Sequence, residues 1–74
     1  MSDSDQRHPA IAQILRYFTW RHLPTDLQEI SRPFGDLAEW SADNLPSNPE
    51  LTAGLRKLLE AKDCMVRAAL ERQR

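Results

Sequence analysis

The sequence predicts an all-α protein in which a short N-terminal helix precedes an antiparallel helical hairpin. Apolar residues recur at steps of three and four through three separate segments, as on one face of a helix. No segment alternates apolar and polar residues as a half-buried strand would. With 74 residues the chain has the length of one domain. We expect residues 9–74 to form that domain and the polar residues 1–8 to be disordered.

The first helix is predicted over residues 9–18. Pro9 suits the first turn of a helix, where its missing N–H is not needed. The apolar residues follow the i, i+3, i+4, i+7 spacing: Ile11, Ile14, Leu15 and Phe18. A helix of this length is marginal by itself in water and has to dock on another element. Residues 18–24 follow as an aromatic linker that ends on Pro24.

The second helix is predicted to begin near Thr25, where Thr25 and Gln28 match the capping-box pattern. Its apolar row steps by three and four residues: Leu27, Ile30, Phe34, Leu37, Ser41 and Leu45. Pro33 removes a backbone donor and crowds the preceding turn, and Gly35 loosens the same turn. These residues predict a helix kinked near Pro33, with a separate first turn and a helix restarting at Pro33 as the alternative.

The third helix is predicted from about Pro49 to Leu70 or beyond. Its N-terminus matches two patterns, a capping box of Ser47 with Glu50, or Asn48 as the cap followed by Pro49. Its apolar residues fall in two rows: Leu51, Leu55, Leu58, Met65 and Ala69, and then Leu59, Val66 and Leu70, with Ala61 and Ala68 between them. This arc is wider than one partner helix covers, which predicts assembly into a homo-oligomer.

The charges are unevenly distributed although the net charge is only −1. Residues 23–49 carry five carboxylates against one arginine, whereas residues 50–74 carry six basic side chains against four acidic ones. This asymmetry favours electrostatic pairing of the two arms, within a chain or between chains; two solvated helix faces are the alternative. The small net charge argues against broad binding to duplex DNA or to an anionic membrane.

The chain has the composition expected of a cytoplasmic protein. No run of 18 apolar residues is present, and the first residues are too polar and acidic for a signal peptide. The single Cys64 excludes a disulfide within the chain and is typical of a reducing compartment.

Catalytic and metal-binding patterns are weak, and we expect neither an enzyme nor a cofactor. His8 and His22 are far apart and lack a carboxylate at metal-ligand spacing. Gly35 and Gly54 stand alone, so no glycine-rich phosphate loop is present. Cys64 lies among apolar residues at helical spacing, which is typical of a small core residue.

The aromatic linker is the candidate binding segment. Trp20 offers a face on which a base can stack, Arg21, His22 and Arg32 offer charge for phosphate, and Thr19 offers a hydroxyl. A flat base and a compact phosphate ring need a few such groups, so the segment suits a cyclic nucleotide. The alternative is that Trp20 is a core aromatic that closes the hairpin. Trp40 lies off the apolar row of its helix and is expected to cover the N-terminal helix or an interface.

The chain presents an ordered series of short motifs. An aromatic-Thr-aromatic segment ends at Pro24, an Ile30-Ser31-Arg32 turn leads to Asp36-Leu37-Ala38, a Leu-Pro turn spans residues 45–50, and a leucine-rich helix ends in residues 60–68. This order resembles the helical-hairpin cyclic-nucleotide sponges of bacteriophages, the anti-CBASS and anti-Thoeris hairpin proteins. The resemblance covers about residues 16–70 and rests on pattern and spacing.

The resemblance implies a homo-oligomer, commonly a hexamer, that sequesters cyclic di- or trinucleotides or cyclic ADP-ribose-type signals between protomers without cleaving them. It implies that a phage-encoded protein of this kind acts against immunity in the host bacterial cytoplasm. Trp20 stands where the family has a stacking Tyr. The ligand-contacting residues expected from the linker and the resemblance together are Thr19, Trp20, Arg21, His22, Gln28, Arg32, Lys62 and Arg67.

The chain departs from the family at two positions. Gly35 falls near a basic residue of the family's first long helix, a role that Arg32 is expected to take from one turn earlier. Asp63 falls near a family Asn, and an acid there would repel phosphate. Arg67, near the family's basic end, is the cation expected on the last helix.

Two other functions remain open at the level of sequence. The wide apolar faces suit a protein-interaction or assembly module, in which the aromatic linker only closes the hairpin. The basic residues of the last helix suit a DNA-binding regulator: Arg56, Lys57, Lys62 and Arg67. Acidic residues interleave with these cations, and the second helix is acidic, which makes DNA binding the weaker of the two.

Overall fold

The computed structural model describes residues 8–72 and consists there of three α-helices and one 3₁₀ turn, with no strand. The prediction of an all-α protein is confirmed for this part of the chain. Of residues 1–8, for which disorder is expected, residues 1–7 lie outside it. The helices are α1 (Pro9–Leu15), α2 (Thr25–Asn44) and α3 (Pro49–Arg72). Within the described residues no helix is both long and apolar enough to span a bilayer.

The first helix forms where the apolar spacing predicts it, but its last turn is tighter than expected. α1 ends at Leu15 and continues as a 3₁₀ turn, Arg16–Phe18. His8 precedes α1, and its Nδ1 accepts a hydrogen bond from the Ala10 N–H at 3.1 Å, which satisfies one donor of the first turn. The tightened end places Phe18 in the core, where it is 2% exposed.

α2 is one helix that runs through Pro33, so the alternative of a separate turn before Pro33 is wrong. The predicted capping box is also wrong, because Thr25 is already the first helical residue and Pro24 precedes it without a side-chain cap. The Pro24 carbonyl instead accepts from the Leu27 and Gln28 N–H groups at 3.0 and 2.9 Å. Packing of α2 on both other helices offsets the cost of an interior proline, about 3 kcal/mol.

α3 begins and continues as predicted, with Asn48 as its cap. The Asn48 Oδ1 accepts from the Leu51 N–H at 2.9 Å, and Pro49 occupies the first helical position, where no N–H is needed. Of the two patterns at this turn, the structure therefore selects the Asn48 cap. Leu51 and Leu55 bring α3 into the core.

The core lies where α1 packs on α2 and α3. Its buried apolar residues are Ile11, Leu15, Phe18, Ala38, Leu51 and Leu55. The buried row of α2 is made of small residues, Ser31, Gly35 and Ala38. The larger apolar row predicted for α2 lies beside it, and Leu37 and Leu45 on that row remain 49% and 46% exposed. Small residues are buried because α1 and the linker approach the α2 backbone closely.

Candidate ligand site around Trp20

Trp20 lies half-buried against the backbone of α2, in the linker that joins the 3₁₀ turn to α2. The contact is possible because residue 35 has no side chain. A Cβ on Gly35 would stand 2.8 Å from the Phe18 carbonyl oxygen and 2.9 Å from Trp20 Cδ1, closer than real Cβ atoms approach. Gly35 therefore makes room for the indole on the α2 backbone, a role that the sequence analysis did not assign to it.

Two guanidinium groups lie over the indole ring. The Cζ of Arg21 is 4.7 Å from the ring centroid and the Cζ of Arg32 is 5.3 Å from it, both within the range of cation–π attraction. Arg21 comes from the linker and Arg32 from α2, so the two elements meet at this ring. The structure thus brings Arg32 to Trp20, where the sequence predicted a cation.

A surface concavity of about 480 Å³ opens beside the indole. It is lined by most of the predicted linker residues, Thr19, Trp20, Arg21 and His22, together with Leu15, Phe18, Gly35, Asp36 and Glu39. Its apolar floor comes from the end of α1 and from Trp20. Its polar rim carries both signs of charge, since Arg21 of the linker lines it together with Asp36 and Glu39 of α2.

The two carboxylates on this rim are functional candidates that sequence reasoning missed. Asp36 and Glu39 lie one turn apart on α2 and both line the concavity. Asp36 also approaches Arg32, with 3.6 Å between its Oδ2 and the Arg32 Nε. The sequence shows that these two carboxylates lie on one side of α2 next to Gly35. It does not show that Trp20 packs on Gly35, which is what brings the carboxylates to the concavity.

Gln28 and Thr19 hold the linker in place. The Gln28 Nε2 donates to the carbonyl oxygens of Arg21 and Leu23 at 3.1 and 2.8 Å. The Thr19 Oγ1 donates to the Arg16 carbonyl at 3.1 Å, which satisfies one acceptor at the end of the 3₁₀ turn. Both side chains therefore shape the site through the backbone, and Thr19 also lines the concavity.

Neither Lys62 nor Arg67 lines this concavity. The Lys62 Nζ donates to the Tyr17 carbonyl at 2.6 Å and lies 5.7 Å from the centroid of the Phe18 ring. Its side chain is only 11% exposed and approaches Asp63 at 3.6 Å. Arg67 is exposed on α3 and contacts the Cys64 Sγ at 3.4 Å. Lys62 thus ties α3 to the 3₁₀ turn that precedes Trp20.

We expect Lys62→Met to lower the free energy of unfolding by about 2 kcal/mol. Methionine keeps the apolar stem but leaves the Tyr17 carbonyl without its charged donor. Lys57→Met is the matched control, since Lys57 is exposed on the same helix and its replacement should change stability by less than about 0.5 kcal/mol. Urea denaturation followed by circular dichroism measures both. Equal stability of the two variants would show that the Lys62 amine does not secure the turn.

Within residues 8–72, His, Cys, Asp and Glu side chains form no group of three or more that could hold a metal ion. The concavity beside Trp20 combines an indole face with side chains of both charges. Comparison with protein-family models, with curated proteins and with solved structures finds no match for this chain.

Proposed function

We propose that this chain binds cyclic oligonucleotides or cyclic ADP-ribose-type signals and sequesters them without cleavage, as a helical hairpin that assembles into a homo-oligomer. The observation that carries the proposal is the Trp20 indole, half-buried on Gly35 with the guanidinium groups of Arg21 and Arg32 over its ring. A hexamer in the host bacterial cytoplasm is the form that the resemblance to phage sponges supports.

A nucleotide base can displace one of the two guanidinium groups from the face of the Trp20 indole. An exposed cation–π contact contributes about 0.5–1 kcal/mol, whereas a base stacked on an aromatic side chain contributes about 1–3 kcal/mol. Arg21 and Arg32 are both exposed. A base that stacks on Trp20 therefore displaces one of them at little cost, and the released guanidinium can form a bidentate contact with the phosphate of the same ligand.

The mixed charge of the rim fits a nucleotide better than a bare anion. Phosphate oxygens only accept hydrogen bonds, whereas ribose hydroxyls and base amino groups also donate them. Arg21 and His22 suit the phosphate, and Asp36 and Glu39 on the opposite rim suit the donors. Inorganic phosphate has no base or ribose to place against these carboxylates, so their repulsion of its charge would not be offset. We therefore expect it to bind weakly.

Sequestration needs no chemical step. A protein that binds a signal tightly lowers its free concentration by mass action, and each added protomer adds a site. Assembly of several copies raises the capacity and can complete each site with groups from a neighbouring copy. The proposed function therefore requires a high affinity for the signal and enough protomers to bind most of it.

A thermal-shift panel tests the proposal. The purified full chain is heated with cyclic dinucleotides, cyclic trinucleotides and cyclic ADP-ribose isomers, with linear dinucleotides and inorganic phosphate as controls. At about 100 times the Kd, one cyclic ligand should stabilise the protein by about 2.7 kcal/mol, which for a chain of this size raises the Tm by about 10 °C or more.

The bound ligand is then recovered and identified by mass spectrometry. Recovery of the intact ring supports sequestration, whereas a linearised product would contradict it. Absence of a shift across the panel, with the protein folded, would overturn the ligand class and favour the protein-interaction module. An equal shift with inorganic phosphate would reduce the site to a general anion site.

A further inference from the structure

The linker contains a four-residue turn, Trp20–Leu23, that its own backbone closes. The Leu23 N–H donates to the Trp20 carbonyl at 3.1 Å, the hydrogen bond from residue i+3 to residue i that is typical of a β-turn. Arg21 and His22 are therefore the two central residues of this turn. Both are exposed and both line the concavity beside the indole. The conformation of the turn thus decides where the guanidinium and the imidazole stand.

Gln28 holds this turn from the first part of α2. Its Nε2 donates to the carbonyl oxygens of Arg21 and Leu23 at 3.1 and 2.8 Å, so both of its N–H groups have an acceptor in the turn. The backbone N–H of Gln28 donates to the Pro24 carbonyl at 2.9 Å. One half-buried residue therefore binds three carbonyl groups of the segment that leads into the helix.

We infer that Gln28 is a positioning residue of the Trp20 site, which fixes the Trp20–Leu23 turn before the ligand arrives and does not touch the ligand itself. This inference rests on the proposed function. Sequence analysis expected Gln28 to contact the ligand, but Gln28 does not line the concavity, and both of its side-chain donors are engaged by the turn. Its bond to the Arg21 carbonyl fixes the backbone from which Arg21 reaches over the indole.

The turn needs a support at this end. Trp20 is held at the other end, where its indole lies on Gly35. The exposed side chains of Arg21 and His22 bury little apolar surface, and one backbone hydrogen bond closes the turn. Ordering the backbone of one such residue on binding would lower the affinity by a factor of about 5 to 30. A turn that Gln28 has already fixed avoids this loss.

Amide hydrogen exchange of the full chain without ligand tests whether Gln28 orders the turn. Gln28→Met keeps the side-chain length and the helix propensity but removes both donors. We expect the Leu23 N–H to exchange at least about tenfold faster in this variant, while the N–H of Leu55 in the core changes by less than about threefold. Gln13→Met is the matched control, since Gln13 is exposed on α1, and both amides should exchange there as in the wild type.

Two further variants at the same residue separate the donor from the side chain. In Gln28→Glu a carboxylate of the same size can only accept, so the Leu23 N–H should again exchange faster. In Gln28→Lys an ammonium can donate to the two carbonyls, which should restore the protection of Leu23. Wild-type exchange of Leu23 in the folded Met and Glu variants would overturn the inference. Equal acceleration of Leu23 and Leu55 would also overturn it, because Gln28 would then support the whole fold.

Isothermal titration with the strongest cyclic ligand of the panel measures the consequence for binding. The Kd of Gln28→Met is expected to rise about tenfold, whereas that of Gln13→Met should equal the wild-type value. A Kd of Gln28→Met within about twofold of the wild type, with Leu23 exchanging faster, would show that the preset turn does not serve the ligand and would overturn the inference. If the wild type binds no member of the panel, the proposed function fails, and the role of Gln28 in binding fails with it. The exchange of Leu23 would still decide separately whether Gln28 fixes the turn.

Discussion

Replacing Trp20 by leucine is expected to lower the affinity for the cyclic nucleotide at least 100-fold while the helices and the oligomer persist. Leucine keeps an apolar group on Gly35 but offers no aromatic face, so base stacking and both cation–π contacts are lost. Trp20→Phe keeps an aromatic face on which a base can stack. Its Kd for the ligand is therefore expected to stay within about tenfold of the wild-type value, a difference of at most about 1.4 kcal/mol in binding free energy. Isothermal titration with the strongest ligand of the panel measures both.

Trp20→Ala distinguishes binding from folding. The indole is half-buried, so its removal opens a void above Gly35 and costs some stability. If the alanine variant stays folded and loses the ligand, the indole is a stacking platform. If it unfolds, or if the leucine variant binds as tightly as the wild type, the ring is a core residue and the proposed site is wrong.

Gly35→Ala is expected to lower the free energy of unfolding by about 1–2 kcal/mol, although the same change usually stabilises a helix. Alanine gains about 0.8–1 kcal/mol in helix propensity over glycine. Its methyl group would, however, stand 2.8 Å from a backbone oxygen of Phe18, and overpacking of this kind costs about 1–3 kcal/mol or more. The linker must therefore lift off α2, and Trp20 with it.

Gly54→Ala is the matched control, because an added Cβ meets nothing within 4 Å there. It should stabilise the chain by up to about 1 kcal/mol. Chemical denaturation compares the free energy of unfolding of the two variants with that of the wild type. Equal stabilisation by both alanines would mean that the linker does not lie on Gly35, and the concavity beside Trp20 would lose its basis.

Local patterns predicted the helices well because their causes are local. The asparagine before Pro49 caps α3 through its own side chain, and the 3.6-residue spacing of apolar residues extends through both long helices. The linker between residues 18 and 24 was likewise predicted from its composition. The capping box at Thr25 failed because the backbone entered the helix one residue earlier than the pattern implied.

The candidate site could be predicted only in part. Thr19, Trp20, Arg21 and His22 are adjacent in the chain, so any fold keeps them close together. Asp36 and Glu39 join them only because the linker folds back onto α2. Lys62 was expected at the ligand, but its amine lies under the 3₁₀ turn, 45 residues away in sequence, a contact that no local pattern specifies.

The sequence by itself determined that the described residues 8–72 are helical, where their three α-helices run, and which segment combines an indole with cations. It could do so because periodicity, capping and composition act within a few residues. Only the tertiary structure decided which side of α2 is buried. Hydrophobicity favoured the row of Phe34 and Leu37, but α1 and Trp20 need a close approach, which Ser31, Gly35 and Ala38 allow. Close packing selects residues by their volume, and this choice leaves Leu37 on the larger apolar row about half exposed.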